Sequence, residues 1–76
     1  MSVTEKVRSL IAKQLNKSID DVTEDKELVK DLGTDSLDVV EMLMSLEDEY
    51  GISVPAEEAQ NIKTVGDVIK LIESKQ

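Results

Sequence analysis

Apolar positions along the chain recur at helical rather than strand spacing. Val3, Val7, Leu10, Ile11 and Leu15 fall three or four apart, and Ser2 with Glu5 makes a capping-box pattern in front of them. The spacing predicts a first helix from Val3 to Leu15, with Lys6, Arg8, Lys13 and Lys17 off its apolar stripe as ordinary solvated positions. From Asn16 to Gly33 the period lapses. Ile19, Val22, Leu28 and Leu32 stand among polar residues as pegs that pin a long connection to the core. A connection of that length is unusual in a small domain and is more often functional than idle. Its expected job is to bring the chain to a second helix lying beside the first.

That second helix opens in the stretch Leu32-Gly33-Thr34-Asp35-Ser36-Leu37-Asp38. Gly33 breaks what precedes it, Asp35 is an N-cap residue, and Asp38 lies three positions later, where its carboxylate can reach back. Ser36 is then the first helical residue, with its hydroxyl directed away from the axis. The helix is expected to run to about Tyr50, with Gly51 as its C-terminal stop. Placed at about 100° per residue, its side chains separate into faces. Val39, Leu43, Leu46 and Tyr50, with Met42 beside them, form the core face. Asp38, Glu41, Ser45, Asp48 and Glu49 lie opposite, Leu37, Val40 and Met44 make a second apolar strip, and Glu47 falls between strip and core face. Two readings of the strip are open: it packs under the long connection, or it is the exposed centre of a docking surface ringed by carboxylates.

Pro55 pushes Val54 into an extended conformation and suits the first position of a short third helix, Ala56 to about Asn61, which offers Ala59 and Ile62 to the core. Thr64 with Asp67 repeats the capping-box pattern before Val65, Val68, Ile69 and Ile72, a fourth helix reaching to near Glu73. The fold expected is all-α, one domain over residues 1–76: a small four-helix bundle, three helices long and one short, with a long ordered loop between the first two.

Composition narrows the function. The chain has 76 residues and no cysteine, so its core is marginal and unaided by disulfides. With no histidine either, it cannot build a serine triad, a cysteine nucleophile or an ordinary zinc site, and an enzyme is not expected. Tyr50 is the single aromatic residue and the net charge is −8, which together disfavour nucleic acid. No apolar run is long enough to span a bilayer and no signal-peptide pattern is present, so no membrane insertion is expected. The charge is uneven: Met1 to Lys30 balances, whereas Asp31 to Ile62 holds nine acidic residues and no lysine or arginine. A one-sign block centred near Ser36 points to steering toward basic partners, against the alternative of a merely solubilising face.

A phosphate esterified to Ser36 would sit at the positive end of the helix dipole. The competing readings are an acidic helical adaptor in which Ser36 is a bare cap, a calcium sensor, and a serine hydrolase. The EF-hand loop pattern is absent, and no base is available to activate Ser36.

The sequence as a whole resembles the acyl carrier proteins, specifically the free-standing carriers of dissociated (type II) fatty-acid synthesis. The resemblance rests on Asp35-Ser36-Leu37-Asp38, the acidic helix to Tyr50, and Val54-Pro55-Ala56-Glu57-Glu58-Ala59. It implies that Ser36 accepts a 4′-phosphopantetheine arm from coenzyme A through a Mg²⁺-dependent holo-carrier synthase, a phosphopantetheinyl transferase. It implies growing fatty acyl chains held as thioesters on that arm. It further implies docking to basic patches on fatty-acid synthesis enzymes and acyltransferases through Asp35, Leu37, Asp38, Val40, Glu41, Met44, Glu47 and Asp48. A discrete carrier for polyketide, nonribosomal peptide or aminoacyl transfer is the neighbouring alternative. The setting implied is a bacterial cytoplasm or a mature organellar form, as a monomer. Thr34, Ala56, Gln60 and Lys30 depart from the commonest pattern of alanine, aspartate, glutamate and an acid, so no dedicated metal site is expected, only weak surface association of Ca²⁺ or Mg²⁺. Met42, Leu46, Ala59, Ile62 and Val68 are the expected acyl pocket, parting to admit a chain between the second and third helices.

Overall fold

Three of the four helices begin where a side-chain cap dictates. The computed structural model describes residues 2–76, with α1 at Val3–Leu15, α2 at Ser36–Tyr50, α3 at Ala56–Ala59 and α4 at Val65–Ser74. Ser2 Oγ accepts the Glu5 N–H at 3.1 Å and opens α1. At α2 the box is complete: Asp35 Oδ1 accepts the Asp38 N–H at 2.9 Å, and Asp38 Oδ2 accepts the Asp35 N–H at 3.2 Å. Gly51, at φ 63°, closes α2 in the left-handed conformation that a residue without Cβ adopts freely. Thr64 and Asp67 box the start of α4, where Asp67 Oδ2 accepts the N–H groups of both Thr64 and Lys63 at 3.0 Å. The third helix is shorter than its sequence predicts. Past Ala59 the bonds contract to three-residue steps, Asn61 N–H to Glu58 O and Ile62 N–H to Ala59 O, because the segment has no side-chain cap and no fully buried residue to hold a longer helix.

Helix α1 lies against both α2 and α4. Val7 and Ile11 from α1, Met42, Leu43 and Leu46 from α2, and Val65, Val68, Ile69 and Ile72 from α4 close the core, while Val39 and Tyr50 are half-buried at its edge. The long connection contributes Val22, Leu28 and Leu32 to that core. Ile19, the fourth expected peg, is exposed: it begins a 3-10 turn, Ile19–Asp21, that is held by its backbone instead of its side chain.

The holding group is Arg8. Its Nε donates to Val22 O at 2.6 Å and its Nη2 to Ile19 O at 2.9 Å, so it is a staple between α1 and the connection and not a solvated position. Lys6 also departs from expectation, pairing with Glu49 at 3.2 Å and standing 5.4 Å from the centre of the Tyr50 ring. Further along, the connection binds the head of α4 through its backbone: Leu28 N–H to Lys63 O at 2.9 Å, Val65 N–H to Lys26 O at 3.0 Å and Gly66 N–H to Glu24 O at 2.9 Å. The last two satisfy N–H groups that a helix start leaves without intrahelical partners. Gly66 permits the approach, since a Cβ there would stand 3.1 Å from Glu24 O. Thr34 is buried and donates its hydroxyl to Leu28 O at 2.7 Å, which turns the chain toward Asp35. Among the described residues no helix is long and apolar enough to cross a membrane.

Two outcomes test this frame. Charged donors to backbone carbonyls are worth more than neutral ones, so Arg8→Ala should lower unfolding free energy in urea by about 2 kcal/mol, against less than about 0.5 kcal/mol for Lys13→Ala. The N–H groups of Thr64 and Lys63 hold the Asp67 carboxyl below its usual value of 3.8. A depressed carboxyl stabilises the fold above its unfolded pKa and loses that contribution as pH falls through its folded value. Asp67→Asn should therefore melt below the parent near neutral pH, with the gap narrowing as the pH falls below 3.8; a gap that is constant with pH would contradict the assignment.

Candidate functional site

The first turn of α2 combines an exposed hydroxyl with unspent backbone donors. Ser36 is exposed at the first helical position. The capping box uses the N–H groups of Asp35 and Asp38, and the Val39 N–H reaches Asp35 O at 3.1 Å, which leaves the N–H groups of Ser36 and Leu37 without an intrahelical acceptor. An anionic ester on the hydroxyl would meet those donors and the positive helix end. Asp35 and Asp38 oppose such an anion, although each already accepts a backbone N–H.

Beside the hydroxyl lies a groove of about 560 Å³. One wall is α2, through Val39, Val40, Leu43, Met44 and Glu47; the other is Val54, Ala56, Ala59, Gln60 and Ile62, and Val29 of the long connection stands at the rim with Ser36. On a helical projection the α2 wall occupies one continuous arc of about 140°, with Ser36 inside it. The chain thus places an exposed hydroxyl at the edge of a mainly apolar slot.

Ala59 and Ile62 line the slot. Met42, Leu46 and Val68 do not: they are 1%, 0% and 0% exposed and belong to the closed core. On α2 the reason is angular, because Met42 and Leu46 lie outside the arc that lines the slot and join the core, while Val39, Val40, Leu43 and Met44 lie within it. The slot wall was missed at Val29, Val54 and Ala56, which carry no periodic signal. The one available sign was the adjacent pair Leu28-Val29, of which only one side chain can enter the core.

The second apolar strip is exposed, at 64% for Leu37, 49% for Val40 and 57% for Met44, so it does not pack under the connection. Val40 and Met44 are shared between this surface and the groove. Asp35, Glu41 and Asp48 are exposed around it, and among the described residues none of them lies within ion-pair distance of a cation. Asp38 is half-buried in the capping box, and Glu47 is turned inward, its Oε2 accepting the Val54 N–H at 2.7 Å. Among the described residues no group of three His, Cys, Asp or Glu side chains is placed to hold a metal ion.

The phosphopantetheine attachment site family matches residues 5–72. The chain is 49% identical to an acyl carrier protein of Helicobacter pylori (strain G27) over all 76 residues, covering 97% of that protein. It is 49% identical to an acyl carrier protein of Sulfurovum sp. (strain NBC37-1), over 97% of this chain and 99% of that one. A solved structure of a putative acyl carrier protein from Mycobacterium tuberculosis superposes with a TM-score of 0.90 at 37% identity, covering 96% of this chain and 97% of that one.

Proposed function

Because the chain belongs to the acyl carrier proteins, which bear a covalent 4′-phosphopantetheine and carry acyl groups in fatty-acid synthesis instead of catalysing a reaction, we propose that Ser36 Oγ holds the arm. The observation that carries this reading is the exposed Ser36 hydroxyl at a capped helix start, opening onto an apolar groove. When bound, the arm supplies the thiol that this cysteine-free chain lacks. The unspent Ser36 and Leu37 N–H groups would favour the negative charge of the phosphodiester, and the Asp35–Asp38 box keeps the turn that carries Ser36 fixed.

The groove is the proposed shelter for the acyl chain, with Val39, Val40, Leu43, Met44, Ala59 and Ile62 as contact surface. Each buried methylene would gain at most about 0.8 kcal/mol. Met42, Leu46 and Val68 lie beneath this surface and would join it only if the core itself opened. Partner enzymes, the phosphopantetheinyl transferase and the acyl-transferring enzymes of fatty-acid synthesis among them, are proposed to dock a basic patch against Asp35, Asp38, Glu41 and Asp48. Leu37, Val40 and Met44 would supply the apolar centre of that contact. The bacterial relatives support a bacterial cytoplasmic setting.

Intact mass spectrometry after incubation with coenzyme A, Mg²⁺ and a broad-specificity phosphopantetheinyl transferase tests the attachment. One phosphopantetheine should be added to the parent and none to Ser36→Ala, with helix content unchanged in circular dichroism. An unmodified parent alongside a converted control carrier, or modification persisting in Ser36→Ala, would overturn the assignment.

A further inference from the structure

Glu47 is the single charged residue in the otherwise mainly apolar arc that α2 turns toward the groove. A carboxylate in such a place is unfavourable unless hydrogen-bonded. Its partner stands on the opposite wall: Oε2 accepts the Val54 N–H at 2.7 Å in a part-buried contact. The backbone of the same residue holds the chain between, since Glu47 O accepts from Gly51 N–H and, at 3.1 Å, from Ile52 N–H. Those two bonds finish the helix. The carboxylate alone reaches across to the segment that becomes the far wall.

That wall is weakly fixed. Helix α3 has four residues, no side-chain cap and no fully buried residue; only the half-buried Ile52, Ala59 and Ile62 pack its segment against the core, and an ion pair of Glu58 with Lys75 at 2.9 Å ties it on the side toward α4. We propose that Glu47 is a positioning residue: its carboxylate latches Val54 to α2, fixes the width of the groove, and so sets how well an acyl chain is shut off from water. The inference rests on the reading that Ser36 carries an acylated arm. It gives Glu47 a task distinct from that of the outward acids, in which reach across the groove matters and charge does not.

Glu47→Asp keeps the charge and loses the reach, whereas Glu47→Gln keeps the reach and an acceptor oxygen but loses the charge. The first readout is amide deuterium exchange at Val54 in the unloaded chain, expected to rise at least about tenfold in Glu47→Asp and to change less in Glu47→Gln. The second is cleavage by hydroxylamine of hexanoyl and acetyl thioesters on the loaded chain. In the parent and in Glu47→Gln the hexanoyl form should be cleaved more slowly than the acetyl form. In Glu47→Asp that ratio should fall toward one with the acetyl rate unchanged, whereas general loosening would move both rates together. Any pattern in which Asp serves as well as Gln overturns the latch, as does a parent that protects neither thioester. Should Glu47→Asp unfold, loss of Val54 protection in Glu47→Gln overturns it alone. A parent that takes no arm defeats the reading beneath, and the Val54 exchange in the unloaded chain still judges the latch.

Discussion

Three backbone hydrogen bonds between residues 24–28 and the head of α4 hold the long connection in place, and the site depends on them. Each is worth only about 1 kcal/mol net, and they act together with the Arg8 staple and the buried side chains of Val22, Leu28 and Leu32 to fix so long a segment. With Leu28 N–H on Lys63 O and the Val65 and Gly66 N–H groups on Lys26 O and Glu24 O, the side chains of Leu28 and Leu32 are committed to the core. Thr34 then bonds back to Leu28 O, and Asp35 arrives where it can cap α2. The Ser36 hydroxyl is thus positioned by a chain of contacts that begins at the head of α4, about thirty residues further along the sequence.

The same geometry leaves the groove. Helices α1, α2 and α4 pack through long apolar stripes, but α3 is too short to present one, and it lies over α2 with a slot between them. A larger α3 would fill the slot and abolish the proposed shelter. The fold therefore keeps one poorly packed boundary beside the site, and polar ties such as Glu47 to Val54 and Lys75 to Glu58 hold what packing does not. Outside the groove, Leu37 and the outward carboxylates remain available to a partner while the core stays closed.

Helix boundaries were legible in the sequence because caps are local. Ser2, Asp35 with Asp38, Gly51, and Thr64 with Asp67 each act within four residues of where they stand, and α1 and α2 have the predicted limits. The exposed strip was legible for a related reason, since a helix that buries one stripe does not need Leu37, Val40 and Met44 as well. The contacts that cross the chain left no such mark. Arg8 reaches carbonyls eleven and fourteen residues away, and a backbone carbonyl has no sequence signature. Ile19 reads as a peg because the pattern cannot show that its turn is held by the guanidinium. Of the residues expected to part around an acyl chain, Ala59 and Ile62 line the open groove while Met42, Leu46 and Val68 are closed in the core, a division the sequence does not show because a helical projection gives the apolar arc of α2 without saying where α1 ends and α3 begins.

The most direct test of the account is where an acyl chain lies on the loaded protein. Nuclear Overhauser contacts would be measured on a chain carrying hexanoyl phosphopantetheine with isotope-filtered acyl protons. The account predicts contacts from the acyl methylenes to the methyl groups of Val39, Val40, Ala59 and Ile62, and none to Val7 or Ile11 in the core. Acyl protons that meet no methyl group of the groove, or that meet the methyl groups of α1, would contradict it.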